Sequence, residues 1–478
     1  MLVELLKQVA SSHPDKVAVI DARPITYAEL VQEVDSLAAE LQLLGAVAGS
    51  RVALLVPNSL EFVVATFAVF AVNAVVVPIN TRFQSDEINF YLETSEVGLV
   101  LYTERGATAL VGLSKDIRRH LVKVGAQKQH YVSATNDGDD MPAIHMYSSG
   151  STGKPKRVTR THRHLHAEYQ ALAATIALTD SDRMLCTVPL YHAHGFCNCL
   201  VAALLSGGTL VIAQGEFNPR ETTRLIAEHG ITIYPAVPFM FKMIAETFYP
   251  DKPNLSSVRL FFSAGASLPI EVSHNFQSKL GLPLRQLYGS TETGAISINY
   301  DSAQDTEITV GKPLHGVHIS IVDEGGQPVA IGETGEVAIR SPAMAVQYDG
   351  LVDMTAECFR DGYFLPGDLG SLDGEGRLCI KGRKKLLIVV AGNKVDPLDV
   401  EAVIKSHPKV HDAVVIGQAH PNYGEMVKAV VVAESGVGQE EIIELCERHL
   451  AEYKVPKIVD FRAEIPRSPL GKILRKYL

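Results

Sequence analysis

The chain has 478 residues, 46% of them apolar and 21% charged, so it can bury large cores and is expected to form more than one domain. Its net charge of −10 argues against a nucleic-acid-binding protein. Six scattered cysteines without a Cys-x-x-Cys pair favour a reducing compartment over a zinc site or a disulfide framework. The most apolar run, residues 62–78, is short and ends in proline, which predicts a buried helix and strand. With no signal peptide or membrane span predicted, we expect a cytoplasmic protein.

The first third of the chain alternates helical patterns with short runs of Val, Ile and Leu. Such runs lie at Val52–Val56, Val75–Val77 and Leu99–Tyr102. Strands that are apolar throughout are typical of parallel sheets, which are covered by helices on both faces. The sequence therefore predicts a layered α/β fold for residues 1–135.

A Ser/Gly-rich segment, Met146–Arg157, follows and reads M-Y-S-S-G-S-T-G-K-P-K-R. Its glycines allow successive backbone N–H groups to converge on an anion, its hydroxyls add donors, and its lysines add positive charge. A flexible linker would have a similar composition, but the Gly-Lys-Pro-Lys ending favours a clamp for nucleotide phosphates. The segment is not a Walker A loop, because proline follows Lys154 and the first glycine of that motif is missing.

The predicted secondary-structure pattern changes twice in the remainder of the chain. A helix is predicted at Thr161–Leu178, followed by a second α/β stretch with its strands at Met184–Val188, Thr209–Ala213, Ile231–Tyr234 and Arg259–Ser263. Short alternating runs between residues 308 and 380 indicate an antiparallel, barrel-like piece. The final hundred residues mix helices and Val-rich strands, which predicts a small α+β domain.

Three further segments carry side chains suited to nucleotide chemistry. Gln286–Gly294, Q-L-Y-G-S-T-E-T-G, offers an aromatic ring, phosphate donors and a carboxylate for a metal ion. Gly362–Gly370 holds a single acid, Asp368, which either caps a turn or binds a ribose diol. The basic tail holds Lys472, which on its own would be a solvated charge. From these residues alone, an ordinary turn remains an alternative for each of the first two segments.

In this order, the segments resemble the motifs of the adenylate-forming superfamily of acyl-CoA synthetases, NRPS adenylation domains and luciferases. The phosphate loop corresponds to Y-S-S-G-S-T-G-K-P-K, and the adenine and magnesium motif to Y-G-S-T-E-T-G. The ribose and hinge motifs correspond to G-Y-F-L-P-G-D-L-G and G-R-K-K, and the catalytic-lysine motif to S-P-L-G-K-I-L-R. The resemblance spans essentially the whole chain.

The resemblance implies a role for each matching residue. ATP phosphates are expected at Ser148, Ser149, Ser151, Thr152 and Lys154. The adenine is expected beside Gly265 and Ala266 with Tyr288 stacked on it, and the ribose at Asp368 and Arg383. Thr291 would bind the α-phosphate and Glu292 would hold Mg²⁺, while Lys472 would reach the substrate carboxylate and the α-phosphate.

The acyl substrate is expected in a pocket near P-L-Y-H-A-H-G-F. The resemblance places His192 at the pocket mouth as a catalytic-site residue, and we nominate Phe196, Val237 and Met240 for the wall. Many amino-acid-activating relatives have an aspartate in this region, so an α-amino acid is disfavoured and a fatty or aryl carboxylate is favoured. His162, His164 and His166, like His192 and His194, lack an acid or cysteine to complete a metal site.

The resemblance implies a large N-terminal domain, residues 1–382, with two layered α/β subdomains and a β-barrel-like subdomain. A small mobile α+β domain, residues 383–478, would swing about Lys385. The expected reaction is ATP-dependent formation of an acyl-adenylate, followed by transfer to coenzyme A, by a monomer or homodimer. Two departures, Leu386 for an acid and Ala391 for a glycine, concern the thioester step. A carrier protein as the acyl acceptor, or a non-catalytic nucleotide-binding module, are the alternatives.

Overall fold

The computed structural model describes residues 2–113, 117–125, 138–149, 155–300, 309–390, 393–420, 424–468 and 471–478. It divides the chain into two compact units. Unit 1 comprises Met1–Gly150, Lys154–Ile319 and Ile339–Phe364, and unit 2 comprises Ser151–Gly153, Ser320–Ala338 and Leu365–Leu478. The expected hinge boundary between residues 382 and 383 stays a prediction.

Unit 1 is an α/β unit. Its described α-helices are α1 (Leu2–Ser12), α2 (Tyr27–Leu43), α3 (Leu60–Ala71), α4 (Ser85–Thr94), α5 (His162–Thr175), α6 (Ala193–Gly195), α7 (Ala202–Leu205), α8 (Pro219–His229), α9 (Pro238–Glu246), α10 (Ile270–Leu280) and α11 (Val352–Cys358). Its strands up to residue 313 are β1 (Val17–Ile20), β2 (Pro24–Thr26), β3 (Arg51–Leu55), β4 (Val75–Pro78), β5 (Leu99–Tyr102), β6 (Arg118–Leu121), β7 (Pro142–Ser149), β8 (Pro155–Thr161), β9 (Arg183–Cys186), β10 (Thr209–Ile212), β11 (Ile233–Ala236), β12 (Leu260–Ser263), β13 (Leu284–Ser290), β14 (Gly294–Ile298) and β15 (Lys312–Pro313).

These strands form two sheets. The described strands of the first lie in the order β15-β14-β13-β12-β11-β9-β10-β1-β2, and those of the second in the order β6-β5-β3-β4-β7-β8. The strands from β13 to β1 in the first order run parallel, as do those from β6 to β7 in the second. Helix α5 packs against β8 of one sheet and β14 of the other. The prediction of layered α/β architecture is therefore confirmed.

Local sequence explains where the main elements begin and end. Helix α3 is buried along nearly its whole length and leads to the fully buried β4, as the apolar run predicted. Thr161 caps α5, its hydroxyl accepting a hydrogen bond from the backbone N–H of His164. That helix ends at Thr175, three residues earlier than expected, and Ala177 then has a φ of 50°. A left-handed conformation two residues beyond the last helical residue is a common helix stop.

The region between residues 318 and 383 is antiparallel, as the alternating runs predicted. Its strands are β16 (His318–Val322), β17 (Gly335–Arg340), β18 (Phe359–Arg360), β19 (Tyr363–Phe364), β20 (Asp368–Leu372) and β21 (Leu378–Arg383). In unit 1, β18 pairs with β19. In unit 2, β20 pairs with β21 along five register positions.

The rest of unit 2 is a small α+β structure. Its elements are β22 (Ile388–Val390), β23 (Asn393–Val395), α12 (Pro397–Lys405), β24 (Val410–His420), β25 (Gly424–Ala433), α13 (Gln439–His449) and β26 (Ile458–Phe461). The strands lie in the order β23-β22-β25-β24, with β26 parallel to β25. Apolar side chains from both helices and from β24 and β25 form its core. Strands β24 and β25 are longer than the Val-rich runs that indicated them.

No helix in the described part of the chain is long and apolar enough to cross a membrane.

Candidate active site

The sequence-predicted residues of unit 1 outside the phosphate loop lie in segments that follow strands of the larger sheet. Parallel strands end at a common edge, and the residues that follow β9, β11, β12 and β13 include Thr187, Val237, Gly265 and Thr291. Ligands of open α/β sheets bind outside this carboxyl-terminal edge. We call it the carboxyl edge.

The residues expected beside the adenine lie on neighbouring chains at the carboxyl edge. Ser263 of β12 is paired with Gln286 of β13, so Gly265 and Tyr288 each stand two residues beyond that pair. Gly265 has a φ of 82°, a conformation that glycine adopts without strain. A Cβ at Gly289 would lie 2.6 Å from the carbonyl oxygen of Gly294, so no side chain fits beside Tyr288. The structure thus brings Gly265, Ala266 and Tyr288 to one edge.

The turn between β13 and β14 presents Thr291 and Glu292. The Ser290 hydroxyl accepts a hydrogen bond from the Thr293 backbone N–H at 3.2 Å, which closes the turn. Glu292 is buried, and its Oε1 accepts a hydrogen bond from the Tyr348 hydroxyl at 2.8 Å. The Glu292 carbonyl accepts a second from the Ala345 N–H at 2.7 Å. Both the backbone and the carboxylate of Glu292 are therefore fixed by the segment 343–349.

A buried ion pair supports this turn from the other side. The guanidinium of Arg160, at the end of β8, donates to Glu168 Oε2 of α5 at 2.6 Å, and both side chains are buried. Glu168 Oε1 in turn accepts the backbone N–H of Ala295 at 2.9 Å. A Cβ at Gly294 would lie 2.3 Å from the Glu168 carboxyl carbon. The carboxylate of Glu168 therefore occupies the space that a side chain at position 294 would need.

Strands β7 and β8, which flank the predicted phosphate loop, pair antiparallel. The first hydroxyl residues of that loop, Ser148 and Ser149, end β7, and β8 begins at Pro155, with Ser148 paired to Lys156. Ser151, Thr152 and Lys154 lie outside the described residues. Ser148 and Ser149 therefore lie at the carboxyl end of β7, the end at which parallel sheets bind phosphate groups.

The residues predicted for the acyl pocket lie in two segments, and a histidine of the first segment contacts the second. His192 and Phe196 lie on one turn, since the Phe196 N–H donates to the His192 carbonyl at 2.8 Å. Val237 and Met240 lie at the start of α9. His194 connects the segments, because its Nε2 lies 3.1 Å from the carbonyl oxygen of Ala236.

The wall residues themselves are buried and apolar. Phe196, Val237 and Met240 are at most 4% exposed. The rings of Phe196 and Phe70 of α3 pack edge-to-face, with their centroids 6.4 Å apart. The Met240 sulfur lies 3.4 Å from the Thr187 hydroxyl. An apolar substrate group is compatible with such walls.

Burial keeps the imidazole of His192 neutral at neutral pH. It lowers the pKa of His192 to about 4, and the neighbouring His194 lowers that pKa as well. His192 Nε2 is buried and has no hydrogen-bond partner among the described residues. His194, in contrast, is satisfied by Ala236 and by Asn198, whose side-chain nitrogen lies 3.0 Å from His194 Nδ1.

The alternating histidines at the start of α5 are placed separately. The ring of His162 packs edge-on against Phe70, with the ring centroids 4.8 Å apart. His164 Nδ1 accepts a hydrogen bond from the Thr161 N–H at 3.3 Å. His166 stacks on Tyr169. Within the described ranges, no three His, Cys, Asp or Glu side chains are arranged to hold a metal ion.

In unit 2, the two residues expected at the ribose face each other. Asp368 and Arg383 are register partners on β20 and β21, and Arg383 Nε donates to Asp368 Oδ1 at 2.6 Å. Asp368 is 4% exposed. The next residues, Lys384–Leu386, form a short 3₁₀ turn that contains the expected hinge Lys385, whose side chain lies outside the described part. Ala391 also lies outside it.

Also in unit 2, Lys472 is presented by a tight turn near the end of the chain. The Ser468 N–H donates to the Lys472 carbonyl at 2.7 Å, and Gly471 within the turn has a φ of 78°. Arg467, at the base of the turn, forms an ion pair with Asp412 of β24. Lys472 is exposed.

Sequence reasoning missed Arg160, Glu168 and Tyr348. The alternating burial along β8 gave one signal for Arg160, because Arg160 lies on the same buried face of the strand as Val158. Tyr348 offered none, since it lies 56 residues from the carboxylate that it contacts.

The donor set at the carboxyl edge fits a magnesium nucleotide. Mg²⁺ prefers carboxylate oxygens together with phosphate oxygens, and Glu292, which follows Thr291 in the sequence, supplies a fixed carboxylate. A hydrogen bond from Tyr348 orients that carboxylate, as is usual for metal-binding carboxylates.

Comparison with known proteins agrees with this geometry. Residues 6–349 match the family model described as AMP-binding enzyme, and residues 399–472 match the model of the AMP-binding enzyme C-terminal domain. A feruloyl-CoA synthase from Amycolatopsis sp is 32% identical over 461 residues, covering 94% of this chain and 92% of that protein.

Two solved structures extend the likeness over the whole chain. The crystal structure of ATP-bound MatB from Rhodopseudomonas palustris has a TM-score of 0.90 at 28% identity and covers 100% of this chain and 98% of its own. The o-succinylbenzoate CoA synthetase MenE from Bacillus subtilis, in complex with the acyl-adenylate intermediate OSB-AMP, has a TM-score of 0.88 at 28% identity, covering 99% and 97%. Because both family models match it and its relatives are CoA ligases, this chain belongs to the AMP-binding enzyme family and is an adenylate-forming acid–thiol ligase.

Proposed function

We propose that the chain is an AMP-forming acyl-CoA synthetase for a carboxylic acid with an apolar body, and that its adenylation centre is the carboxyl edge of unit 1. The observation that carries the assignment of the centre is the Thr291–Glu292 turn, fixed by Tyr348 on one side and by the Arg160–Glu168 pair on the other. The names of similar proteins support coenzyme A as the acceptor.

In the first step, a carboxylate oxygen of the substrate attacks the α-phosphorus of ATP. The bond between that phosphorus and the bridging oxygen to pyrophosphate breaks, leaving an acyl-adenylate. Because two anions must meet, the barrier is largely electrostatic repulsion and misalignment. Thr291 would donate to the α-phosphate, and Lys472 would neutralise its charge. A magnesium ion held at Glu292 would screen the phosphate oxygens.

In the second step, the sulfur of coenzyme A attacks the acyl carbon. The bond from that carbon to the phosphate oxygen of AMP breaks, and the thiol proton passes to solvent. Two departures from the family pattern, Leu386 and Ala391, fall on the stretch expected to serve this step. We propose that the small domain swings about Lys385 between the two steps, withdrawing Lys472 from the adenylate.

The remaining residues bind and orient the nucleotide and the acid. The phosphate-loop residues would hold the leaving pyrophosphate, and Asp368 with Arg383 would hold the ribose. The apolar side chains of Phe196, Val237 and Met240 favour an aryl or fatty acid. None of these residues carries a carboxylate that could pair with an α-ammonium group. The cytoplasmic location stays a prediction.

A panel of fatty, aryl and dicarboxylic acids tests the function, with hydroxylamine used to trap the acyl-adenylate. We expect ATP-dependent hydroxamate and pyrophosphate with apolar acids, and acyl-CoA when coenzyme A replaces hydroxylamine. Thioester formation with a holo-carrier protein but not with coenzyme A would favour the carrier-loading alternative. Failure to release pyrophosphate with every acid would overturn the proposal.

The Lys472→Ala variant separates the two steps. We expect it to lose ATP–pyrophosphate exchange while still forming thioester from supplied acyl-adenylate, because the lysine would be withdrawn in the second step. Undiminished exchange would contradict its assigned role. Lys454→Ala is the matched control, since Lys454 is a lysine of the same unit that is paired with Asp399.

A further inference from the structure

The segment 343–349, here called the brace, runs beside β8. Its first end is held by Arg160, which donates to the carbonyl of Ala343 at 3.0 Å. Its last residue, Asp349, accepts from Arg157 Nε at 2.9 Å and from the hydroxyl of Thr159. Three side chains of β8 therefore hold the two ends of the brace. β8 is also the strand that follows the predicted phosphate loop.

The middle of the brace contacts Glu292 twice. The Ala345 N–H donates to the Glu292 carbonyl, and the Tyr348 hydroxyl donates to its Oε1 at 2.8 Å. Tyr348 is 4% exposed, so water competes little with this hydrogen bond. A hydrogen bond to an ionised acceptor is about twice as strong as one between neutral groups.

A lysine next to the phosphate loop contacts the same tyrosine. Lys156 Nζ lies 4.7 Å from the centre of the Tyr348 ring, within the range of a cation–π interaction. The positive charge over the ring withdraws electron density from the phenol, which makes its hydroxyl a stronger donor to Glu292. Tyr348 therefore links the strand that follows the phosphate loop to the carboxylate of the turn.

We propose that Tyr348 is a positioning residue for the magnesium nucleotide: the brace sets its place, and its hydroxyl fixes the orientation of the Glu292 carboxylate. The inference rests on the proposed function in assigning Glu292 to the metal. A carboxylate with one oxygen held in place loses less rotational freedom when it binds a cation. Partners of this kind commonly change metal affinity about 10- to 100-fold when removed.

The test removes a single oxygen atom. In the full-length protein with a non-hydrolysable ATP analogue, binding of Mn²⁺ is measured by electron paramagnetic resonance. We expect Tyr348→Phe to raise the Kd for Mn²⁺ about 10-fold or more. The matched control is Tyr27→Phe, which also removes a buried hydroxyl, one bonded to the carbonyls of Leu204 and Gly208. The control should leave the Kd within about twofold, because those carbonyls do not orient the carboxylate assigned to the metal.

A second variant covers the case in which Tyr348→Phe does not fold. Asp349→Asn loosens the end of the brace through Arg157 and Thr159 and should raise the Kd by a smaller factor. An unchanged Kd in a folded Tyr348→Phe protein, or an equal rise in the Tyr27→Phe control, would overturn the inference.

Activity distinguishes this inference from the proposed function. In Tyr348→Phe, the Mg²⁺ concentration for half-maximal pyrophosphate exchange should rise by the same factor as the Kd for Mn²⁺. If the wild type forms adenylate and the variant keeps its Mg²⁺ requirement, the inference fails and the function stands. If no acid yields adenylate but the Mn²⁺ affinity still depends on Tyr348, the proposed function fails and the inference stands.

Discussion

Unit 1 has two arginine–carboxylate pairs that differ in what surrounds them. One, between β8 and α5, contacts the carboxyl edge of the larger sheet through Ala295, and the other lies at the amino edge of that sheet. In the first pair, Arg160 and Glu168 are both buried, and Glu168 also bonds the chain beside Glu292. At the amino edge, Asp182 is buried, but Arg259 is 32% exposed and pairs with both carboxylate oxygens. The Arg160–Glu168 pair supports the turn that contains Glu292. The Arg259–Asp182 pair connects the segments that precede β12 and β9.

The hydrogen bonding at the two edges differs in the same way. Asp182 accepts from Arg259, from the Thr179 N–H and from the Thr232 hydroxyl. Burial raises the pKa of Asp182, but these bonds lower it by more, so that it lies below its usual range. At the carboxyl edge, His192 Nε2 is buried without a partner among the described residues. A polar group left unpaired at a sheet edge is more informative about a ligand than a pair that satisfies itself.

The amino edge of the larger sheet also has a cavity. A hollow of about 410 Å³ lies at the amino ends of β12 and β13, between Arg259, Arg285 and Tyr300. Arg259 is committed to Asp182 there, and the Tyr300 hydroxyl lies 3.5 Å from the Ile176 carbonyl. Gly265, Tyr288 and Glu292 lie at the opposite ends of these strands.

The largest expected effect is the loss of stability when Arg160 is replaced. Arg160→Met leaves the carboxylate of Glu168 buried without its ion pair, which should cost about 3–5 kcal/mol. Arg259→Met should cost less, about 1–3 kcal/mol, because solvent screens the exposed side of that pair. Urea unfolding followed by far-UV circular dichroism measures both, since the chain has no Trp.

A double variant separates the charge effect from packing. Arg160→Met combined with Glu168→Leu removes both charges and should be more stable than Arg160→Met alone. A loss equal to the sum of the two single losses would show that the pair contributes no coupling.

The second prediction concerns space at the turn. Gly294→Ala places a methyl group against Glu168 at a φ of 71°, which should cost about 2–5 kcal/mol from backbone strain and overpacking together. Gly230→Ala, at the end of α8, is the control. Its φ is 57° with open space around the position, so only the strain of about 1–2 kcal/mol applies. Equal losses in the two variants would mean that Glu168 yields to the methyl group.

Much of this architecture could be predicted from the sequence, because local patterns determine it. The buried β4, the cap at Thr161 and the Gly265 turn each follow from adjacent residues. The motifs predicted site residues because glycine, hydroxyl and acid types occur there at short spacing. Arg160, Glu168 and Tyr348 could not be assigned in this way, since their partners are distant in the chain and depend on how α5 and the brace pack.

The smallest predicted effect is a pH dependence at the carboxyl edge. Burial lowers the pKa of His194 to about 4, although its contact with the Ala236 carbonyl acts in the opposite direction. Between the unfolded value of about 6.5 and this folded value, the unfolded state binds the proton first, so stability falls as the pH falls. One such group contributes about 0.7 kcal/mol to the loss between pH 7 and pH 6.

His194→Gln removes that titration. The variant should lose less stability than the wild type between pH 7 and pH 6 when urea unfolding is compared at the two values. Arg259→Met, at the amino edge, should keep the wild-type difference. If His194→Gln also keeps the wild-type difference, the His194 imidazole does not contribute to that difference.

The most direct measurement is ATP–pyrophosphate exchange by Glu292→Gln with an acid that the wild type activates. The amide keeps the size of the side chain and an acceptor for Tyr348, but it removes the negative charge that a magnesium nucleotide requires. We expect exchange to fall about 100-fold or more while the unfolding midpoint stays near that of the wild type, in line with the loss of a group that stabilises transition-state charge. Exchange at the wild-type rate in Glu292→Gln would contradict the placement of the adenylation centre at the carboxyl edge.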